Sequence, residues 1–196
     1  MAKFRASSIL MLLALVPLTS GAADLERVQR ASPPRPIADF ELTDQFGKPR
    51  KLSSFQGAPL LVFFGFANCP DVCPTALHQL QLLMNSKDKE LQRTNVAMIS
   101  VDGARDTPAV MKSYLEPISK KFIGLTGPPQ QVRGIAAQFQ AVFFKGAPVD
   151  KSGGYRIDHT SQVYLLDASG KLHATFVNAP VATMHTVTAE IARDVH

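Results

Sequence analysis

Cysteine and tryptophan are scarce in this sequence of 196 residues, which contains two cysteines and no tryptophan. Two cysteines are too few for a disulfide-rich scaffold, so a hydrophobic core has to stabilise the fold. The sequence has no internal repeat and no low-complexity tract. Its formal net charge of +5 includes no lysine- and arginine-rich run, which gives no support to nucleic-acid binding. These absences make the two cysteines the most informative residues of the chain.

The first 23 residues have the pattern of a secretory signal peptide. Lys3 and Arg5 supply a charged start, and residues 9–18 are mostly apolar before the small residues typical of a cleavage site. A membrane span needs about twenty apolar residues, so we expect a cleaved signal, with an uncleaved anchor as the alternative. Export predicts a protein of the periplasm, where thiols meet an oxidising environment.

Residues 24–36 are predicted to be a Pro-rich linker, an extended tether or wrap ahead of a single domain at residues 37–196. Apolar and polar residues alternate over 37–42, and a turn at 44–47 completes an N-terminal β-hairpin. The later patterns predict an α/β fold with a central mixed β-sheet flanked by helices. Strands are expected at 60–64, 96–101, 122–125, 142–144, 162–166 and 171–177, and helices after Pro74, from Thr107, at 128–139 and at 180–195, with a loop at 145–154.

Cys69 and Cys73 lie where a buried strand gives way to a helix. The apolar run at 60–64 ends at Gly65, and helical spacing begins after Pro74. The partial positive charge of a helix N-terminus favours a thiolate, the form of cysteine that binds metal or attacks disulfides. A small structural disulfide or two inert thiols is the alternative, although so short a loop would gain little from a disulfide.

A histidine could turn two thiolates into a metal site, and the sequence offers five. His159 differs from the others because it lies in a polar turn directly before a buried strand, beside Asp158. On the residues alone, a loop histidine whose polar atoms are satisfied by the backbone is the more common arrangement. The sequence pattern therefore leaves the role of His159 open.

Three segments, taken together, resemble a known family. They are residues 65–77 (GFANCPDVCPTAL), 101–108 (VDGARDTP) and 155–167 (YRIDHTSQVYLLD). They occur in the order found in the Sco/SenC family, thioredoxin-like copper proteins that assist the assembly of cytochrome c oxidase. Ala67 and Asn68 depart from residues often seen before the first cysteine of the family. Neither position is a metal ligand there, so we expect altered loop hydrogen bonds rather than lost binding.

The resemblance implies a copper site formed by Cys69, Cys73 and His159, with Asp158 as a nearby charge that influences it. Thiolates favour Cu(I) and imidazole accommodates both oxidation states, so the implied ligand set suits Cu(I) or Cu(II). The implied function is a metallochaperone that hands copper to the binuclear CuA site of oxidase subunit two, with a periplasmic copper donor or thiol reductant as a further partner. Family members are commonly attached to the membrane.

A thiol–disulfide oxidoreductase is the alternative function, with Cys69 and Cys73 as redox-active thiols. The spacing of three residues between the cysteines, rather than two, counts against it. A third ligand would also be idle in disulfide exchange. A peroxidase is a weaker third possibility, because the chain has no separate resolving cysteine.

Overall fold

The computed structural model describes residues 27–70, 72–148 and 155–194, so the predicted signal peptide lies outside the described residues. Within these residues, ten strands and five α-helices follow one another along the chain. They are β1 Val28–Pro36, β2 Glu41–Asp44, β3 Pro49–Lys51, β4 Leu60–Gly65, α1 Val72–Met84, α2 Lys89–Arg93, β5 Asn95–Ser100, α3 Pro108–Leu115, β6 Phe122–Thr126, α4 Pro129–Gln138, β7 Phe143–Pro148, β8 Tyr155–His159, β9 Val163–Leu166, β10 Lys171–Phe176 and α5 Val181–Arg193, with a 3₁₀ turn at Leu52–Phe55 between β3 and β4.

Eight of these strands form one mixed sheet in the order β1-β10-β9-β4-β5-β6-β2-β3. The pairs β4–β5 and β5–β6 are parallel, whereas β4–β9 and β9–β10 are antiparallel. Every residue of β4 is buried, as expected for a central strand covered on both faces. The predicted α/β class, the mixed sheet and the N-terminal hairpin of β2 and β3 are confirmed.

Local sequence signals explain where two helices begin. The Thr107 hydroxyl accepts the backbone N–H of Val110 at 3.4 Å, and Pro108 follows it at the first helical position of α3. The Asp88 carboxylate caps α2 in the same way, accepting the N–H of Glu90 at 2.9 Å. The sequence analysis missed α2, a single turn and a half within a polar stretch. No helix in the described part of the chain combines the length and apolarity needed to cross a membrane.

The Pro-rich segment is an edge strand of the sheet rather than a tether outside the domain. β1 pairs with β10, and its register shifts between Arg30 and Arg35. Pro33 and Pro34 lie within that irregular stretch, where a missing N–H interrupts no regular ladder. Prolines are tolerated at a sheet edge for this reason. The number of prolines alone therefore does not distinguish an edge strand from a linker.

A second, two-stranded sheet corrects the predicted loop and the predicted polar turn. β7 continues to Pro148, inside the segment expected to be a loop, and β8 pairs with it in an antiparallel hairpin. His159 is thus the last residue of a strand, opposite Phe143. The hairpin stands apart from the eight-stranded sheet and leads through residues 160–162 into β9.

Candidate metal centre

The two cysteines lie on what we call the cysteine limb: β4, residues 66–70 and α1. The N–H of Cys69 donates to the carbonyl of Phe66 at 3.1 Å, which closes a turn after β4. Cys73 lies in the first turn of α1, as predicted. Both thiols are free and buried, and Cys73 is fully enclosed. The burial follows from β4, which carries the chain out of the centre of the core.

Gly65 creates the space that Cys73 occupies. A Cβ added at Gly65 would lie 2.9 Å from Cys73 Sγ and 2.6 Å from the ring of Phe63. Contacts between heavy atoms this short would force the thiol or the ring to move. The glycine at the end of β4 therefore allows the sulfur to sit directly against the strand.

Asp106 holds the loop before the first cysteine. Its Oδ2 accepts the N–H of Ala67 at 3.0 Å and the hydroxyl of Ser100 at 2.6 Å. Burial raises the pKa of the Asp106 carboxyl, and its other oxygen, Oδ1, has no partner among the described residues. The sequence places Asp106 in the second of the three family segments but gives no sign of this role.

His159, the last residue of β8, lies on what we call the histidine limb: β7, β8 and residues 160–162. Its Nδ1 donates to the carbonyl of Thr160 at 2.9 Å, so Nε2 carries the free lone pair. Nε2 lies 3.3 Å from Cys73 Sγ and 3.8 Å from Cys69 Sγ. The ring meets Phe66 edge-on, at a centroid distance of 5.6 Å. The imidazole is thus fixed in tautomer and faces both sulfur atoms.

Burial controls the protonation of this group. Desolvation raises the pKa of the Cys73 thiol well above its ordinary range, and the neighbouring Cys69 raises it further. Desolvation also lowers the pKa of His159, which is therefore a neutral imidazole at neutral pH. A metal ion bound here has to displace a proton from Cys73, whereas His159 can bind without losing one.

Of the residues described, Cys69, Cys73 and His159 form the one group of three or more side chains suited to a metal, with ligand atoms within 4.8 Å of one another. Two sulfurs and one imidazole nitrogen suit a soft or borderline ion and leave further coordination positions to an incoming ligand. A cleft of about 550 Å³ gives access to the group. Its lining residues are Phe66, Asn68, Cys69, Pro70, Val72, Tyr155, Arg156, Ile157, Asp158 and His159.

The remaining histidines of the described chain serve elsewhere. His78 is exposed on α1, His173 contacts Asp167 at 2.9 Å, and His185 contacts Ser86 at 3.2 Å. Asp158 is exposed and acts on His159 through its charge alone, raising the pKa of the imidazole slightly against the larger effect of burial. Asp71, which the sequence places between the cysteines, lies outside the described residues.

Comparison with known proteins identifies relatives of the chain. The SCO1/SenC family pattern matches residues 28–196. The chain belongs to the SCO1/SenC family. A SCO2-like protein of Rickettsia felis is 39% identical over 133 residues, which are 68% of this chain and 65% of that protein. The alignment thus spans just under two thirds of that relative.

Two copper-bound structures are similar to this one. ScoI of Bradyrhizobium japonicum, solved with copper bound, is 34% identical with a TM-score of 0.71 over 80% of this chain and 99% of that chain. Yeast Sco1, also solved with copper bound, is 30% identical with a TM-score of 0.75 over 83% of this chain and 91% of that chain. The shared architecture is thioredoxin-like, which confirms the predicted fold class.

A polar cluster beside the cleft, which the sequence did not predict, is formed by Asp102, Arg105 and Tyr155. The Tyr155 hydroxyl donates to Asp102 Oδ1 at 2.6 Å, and Arg105 forms an ion pair with Oδ2 of the same carboxylate. A signal for the strand that carries Tyr155 was present, because Tyr155, Ile157 and His159 alternate with charged residues. That period of two is typical of a half-buried strand rather than a turn.

Proposed function

We propose that this protein is a copper chaperone that binds copper through Cys69, Cys73 and His159 and delivers it to the binuclear CuA site during assembly of cytochrome c oxidase. The observation that carries the proposal is the convergence of two sulfurs and one imidazole nitrogen within 4.8 Å. The two relatives solved with copper bound support copper as the metal. The neutral, tautomerically fixed His159 supports its role as third ligand.

A chaperone has to hold its cargo and also release it. Three protein ligands leave a coordination position that a partner's ligand can enter before the first bond breaks, so copper never needs to be free in solution. The cleft of about 550 Å³ gives that incoming ligand a route to the sulfur atoms. Two thiolates suit Cu(I), and the imidazole makes the set adequate for Cu(II) as well.

The proposed partner is oxidase subunit two, which carries the CuA site. The predicted signal peptide supports delivery in the periplasm, with attachment to the inner membrane if the signal is retained. A periplasmic copper donor or a thiol reductant is the further partner, because Cys69 and Cys73 have to be reduced before they can take up Cu(I).

A second candidate function is that of a thiol–disulfide oxidoreductase. The observation in its favour is that both thiols are free and their sulfurs lie within 4.8 Å of each other. The two thiols would give two electrons and two protons to a client disulfide and become a Cys69–Cys73 disulfide. The raised pKa of Cys73 weighs against reactivity at that position and leaves Cys69 as the attacking group.

The deciding experiment uses a strain that carries His159→Ala. We expect oxidase activity to be lost at low copper and partly restored by added copper, because only the chaperone function needs the third ligand. The matched control is His78→Ala, since His78 is exposed on α1 and lies outside the metal group. Full oxidase activity of the His159→Ala strain at low copper would overturn the proposal.

Two measurements on purified protein complete the test. The reduced protein should take up one copper per chain, and a matched titration with zinc should show weaker binding. The His159→Ala protein should reduce a model disulfide as fast as the parent does. If that variant instead lost reductase activity and kept tight copper binding, the oxidoreductase reading would replace the chaperone.

A further inference from the structure

The histidine limb needs a support that the main sheet does not provide. β8 pairs with β7 in a separate two-stranded sheet, and an isolated hairpin is marginally stable in water. One end of β8, at His159, is connected through residues 160–162 to β9. The other end, at Tyr155, lies four residues away, roughly 13 Å along an extended strand. Phe143 and Ile157 pack into the main hydrophobic core, so the end at Tyr155 is the part of the hairpin whose position depends on further contacts.

Tyr155 fixes that far end to the loop between β5 and α3. Its hydroxyl donates to Asp102 Oδ1 at 2.6 Å, and its carbonyl accepts from Arg105 Nη1 at 3.2 Å. The Arg105 guanidinium also stacks on the Tyr155 ring, 3.8 Å from its centroid. Asp102, which pairs with Arg105, has a side chain that is 2% exposed. Three separate contacts thus attach this end of the strand to Asp102 and Arg105.

A second cation on the same ring has a different consequence. Lys145 Nζ lies 3.7 Å from the centroid of the Tyr155 ring. Lys145 belongs to β7, so its contact strengthens the hairpin internally and does not attach it to the rest of the molecule. Arg105 is the cation that links the Tyr155 end of the hairpin to the core, whereas Arg133 of α4 stacks at 5.1 Å on Phe143, at the end near His159.

Arg105 also reaches the imidazole by a second route. Its guanidinium lies 6.0 Å from the ring centroid of Phe66, and the Phe66 ring packs edge-on against His159 at 5.6 Å. Arg105 Nη2 is buried without a hydrogen-bond partner among the described residues.

We propose that Arg105 and Tyr155 are positioning residues that hold His159 Nε2 at the two thiols and so set the preference of the site between Cu(I) and Cu(II). The inference rests on the proposed function and deepens it. Neither residue belongs to the group of three ligand side chains. The two thiolates retain Cu(I) by themselves, whereas Cu(II) depends on the nitrogen ligand. Loosening the hairpin should therefore weaken Cu(II) binding selectively.

The test compares Arg105→Met and Tyr155→Phe with Arg50→Met as control. Arg50 is a close match, because it pairs with the buried Asp44 at 3.5 Å and stacks over Phe55 at 5.8 Å. It lies on β3 at the far edge of the sheet from β4. Both methionine variants thus lose an arginine that lies between a buried carboxylate and an aromatic ring. They differ in whether that arginine contacts the histidine limb.

We expect Arg105→Met to lower Cu(II) affinity by about 10- to 100-fold, as is typical for residues that support a ligand from outside the coordination shell. Tyr155→Phe, which keeps the ring, should fall at the lower end of that range. Cu(I) affinity should stay within about twofold of the parent, since the thiolates are unchanged. The Cu(II) absorption and paramagnetic resonance spectra should shift in both variants and remain unchanged in Arg50→Met.

Two results would overturn the inference. One is an Arg105→Met protein with the parent's Cu(II) affinity and spectrum. The other is an equal loss of Cu(I) and Cu(II) affinity, which would show a general effect on the fold. Thermal unfolding of the metal-free variants, read beside Arg50→Met, detects such an effect directly.

Amide hydrogen exchange at Ile157 separates this inference from the proposed function. Ile157 is the buried residue in the middle of β8, and its exchange should accelerate in Arg105→Met even without metal. If the parent protein bound no copper, the chaperone function would be refuted, but the attachment of the hairpin by Arg105 could still be measured by this exchange. If exchange at Ile157 were unchanged in Arg105→Met, the attachment would be refuted and the proposed chaperone function would be unaffected.

Discussion

The cysteine limb and the histidine limb reach the same point from different kinds of structure. The cysteine limb begins with β4, a strand that is buried at every residue and lies in the middle of an eight-stranded sheet. The histidine limb is a two-stranded sheet in which Arg156 and Asp158 are exposed between buried or half-buried neighbours. The sulfur ligands therefore depend on the global fold, whereas the nitrogen ligand depends on local contacts.

This difference implies that the sulfur and nitrogen ligands differ in mobility. Local openings cost less free energy than global unfolding, so a ligand on the hairpin can move while the sulfurs stay in place. A metal held by both limbs is held firmly on one side and adjustably on the other. In the proposed chaperone function, release to a partner would begin at the nitrogen while the sulfur pair retains the copper.

Removal of a sulfur should have the largest effect. We expect Cys73→Ser to lower Cu(I) affinity by more than about 100-fold, since loss of a ligand exceeds the loss typical of an outer-shell residue. His159→Ala should weaken Cu(I) much less. Competition with a Cu(I) chelator measures both variants. Equal losses of Cu(I) affinity in the two would remove the distinction between the limbs.

The second-largest effect is expected from a methyl group at Gly65, in the cysteine limb. Because its Cβ would meet Cys73 Sγ at 2.9 Å, Gly65→Ala should lower the free energy of unfolding by about 1–3 kcal/mol and weaken Cu(I) binding. Gly134→Ala is the matched control: Gly134 lies inside α4 and a Cβ there meets nothing within 4 Å. That change should stabilise the protein by about 0.5–1 kcal/mol. Urea unfolding of both variants measures these changes. An unchanged free energy of unfolding in Gly65→Ala would contradict the packing argument.

The limbs should also differ in how pH affects them. Burial raises the pKa of Cys73, so the thiol is protonated at neutral pH and metal binding releases its proton. Cu(I) affinity should therefore rise with pH, by up to about tenfold per pH unit for each proton displaced. Burial lowers the pKa of His159, so the imidazole adds no such dependence above its ordinary titration range. Chelator competition between pH 6.5 and 8.5 tests this, and a flat profile would show that Cys73 is ionised before metal binds.

The smallest expected effect is at the exposed charge beside the imidazole. Asp158→Asn should lower Cu(II) affinity by no more than about fivefold, because an exposed charge contributes at most about 1 kcal/mol. The effect should shrink further as salt is added. Calorimetry at low and high salt measures it. A loss as large as that of His159→Ala would make Asp158 a ligand rather than a nearby charge.

The sequence predicted the cysteine limb well and the histidine limb poorly. The continuous apolar run of β4 and the prolines around the cysteines are local signals, so the strand, the helix and the place of Cys73 follow from them. The resemblance named His159, although the residue pattern placed it in a turn. The alternation in β8 is a strand signal that the prediction of a polar turn overlooked, whereas the contacts of β8 with β7 and Arg105 lie outside any local pattern. Burial of the thiols was equally hidden, because it depends on β4 reaching the centre of the core.

The distance along the chain between the ligands also bears on the order in which they become available during folding. Cys69 and Cys73 are four residues apart, whereas His159 follows Cys73 by 86 residues. An unfolded chain can thus offer its sulfur pair to copper at once, but the nitrogen arrives only when β9 pairs with β4. Metal that also binds the unfolded chain stabilises the fold by less than its full affinity. Copper should therefore contribute to thermal stability mainly through His159, and the appearance of nitrogen coordination would report the closing of the sheet.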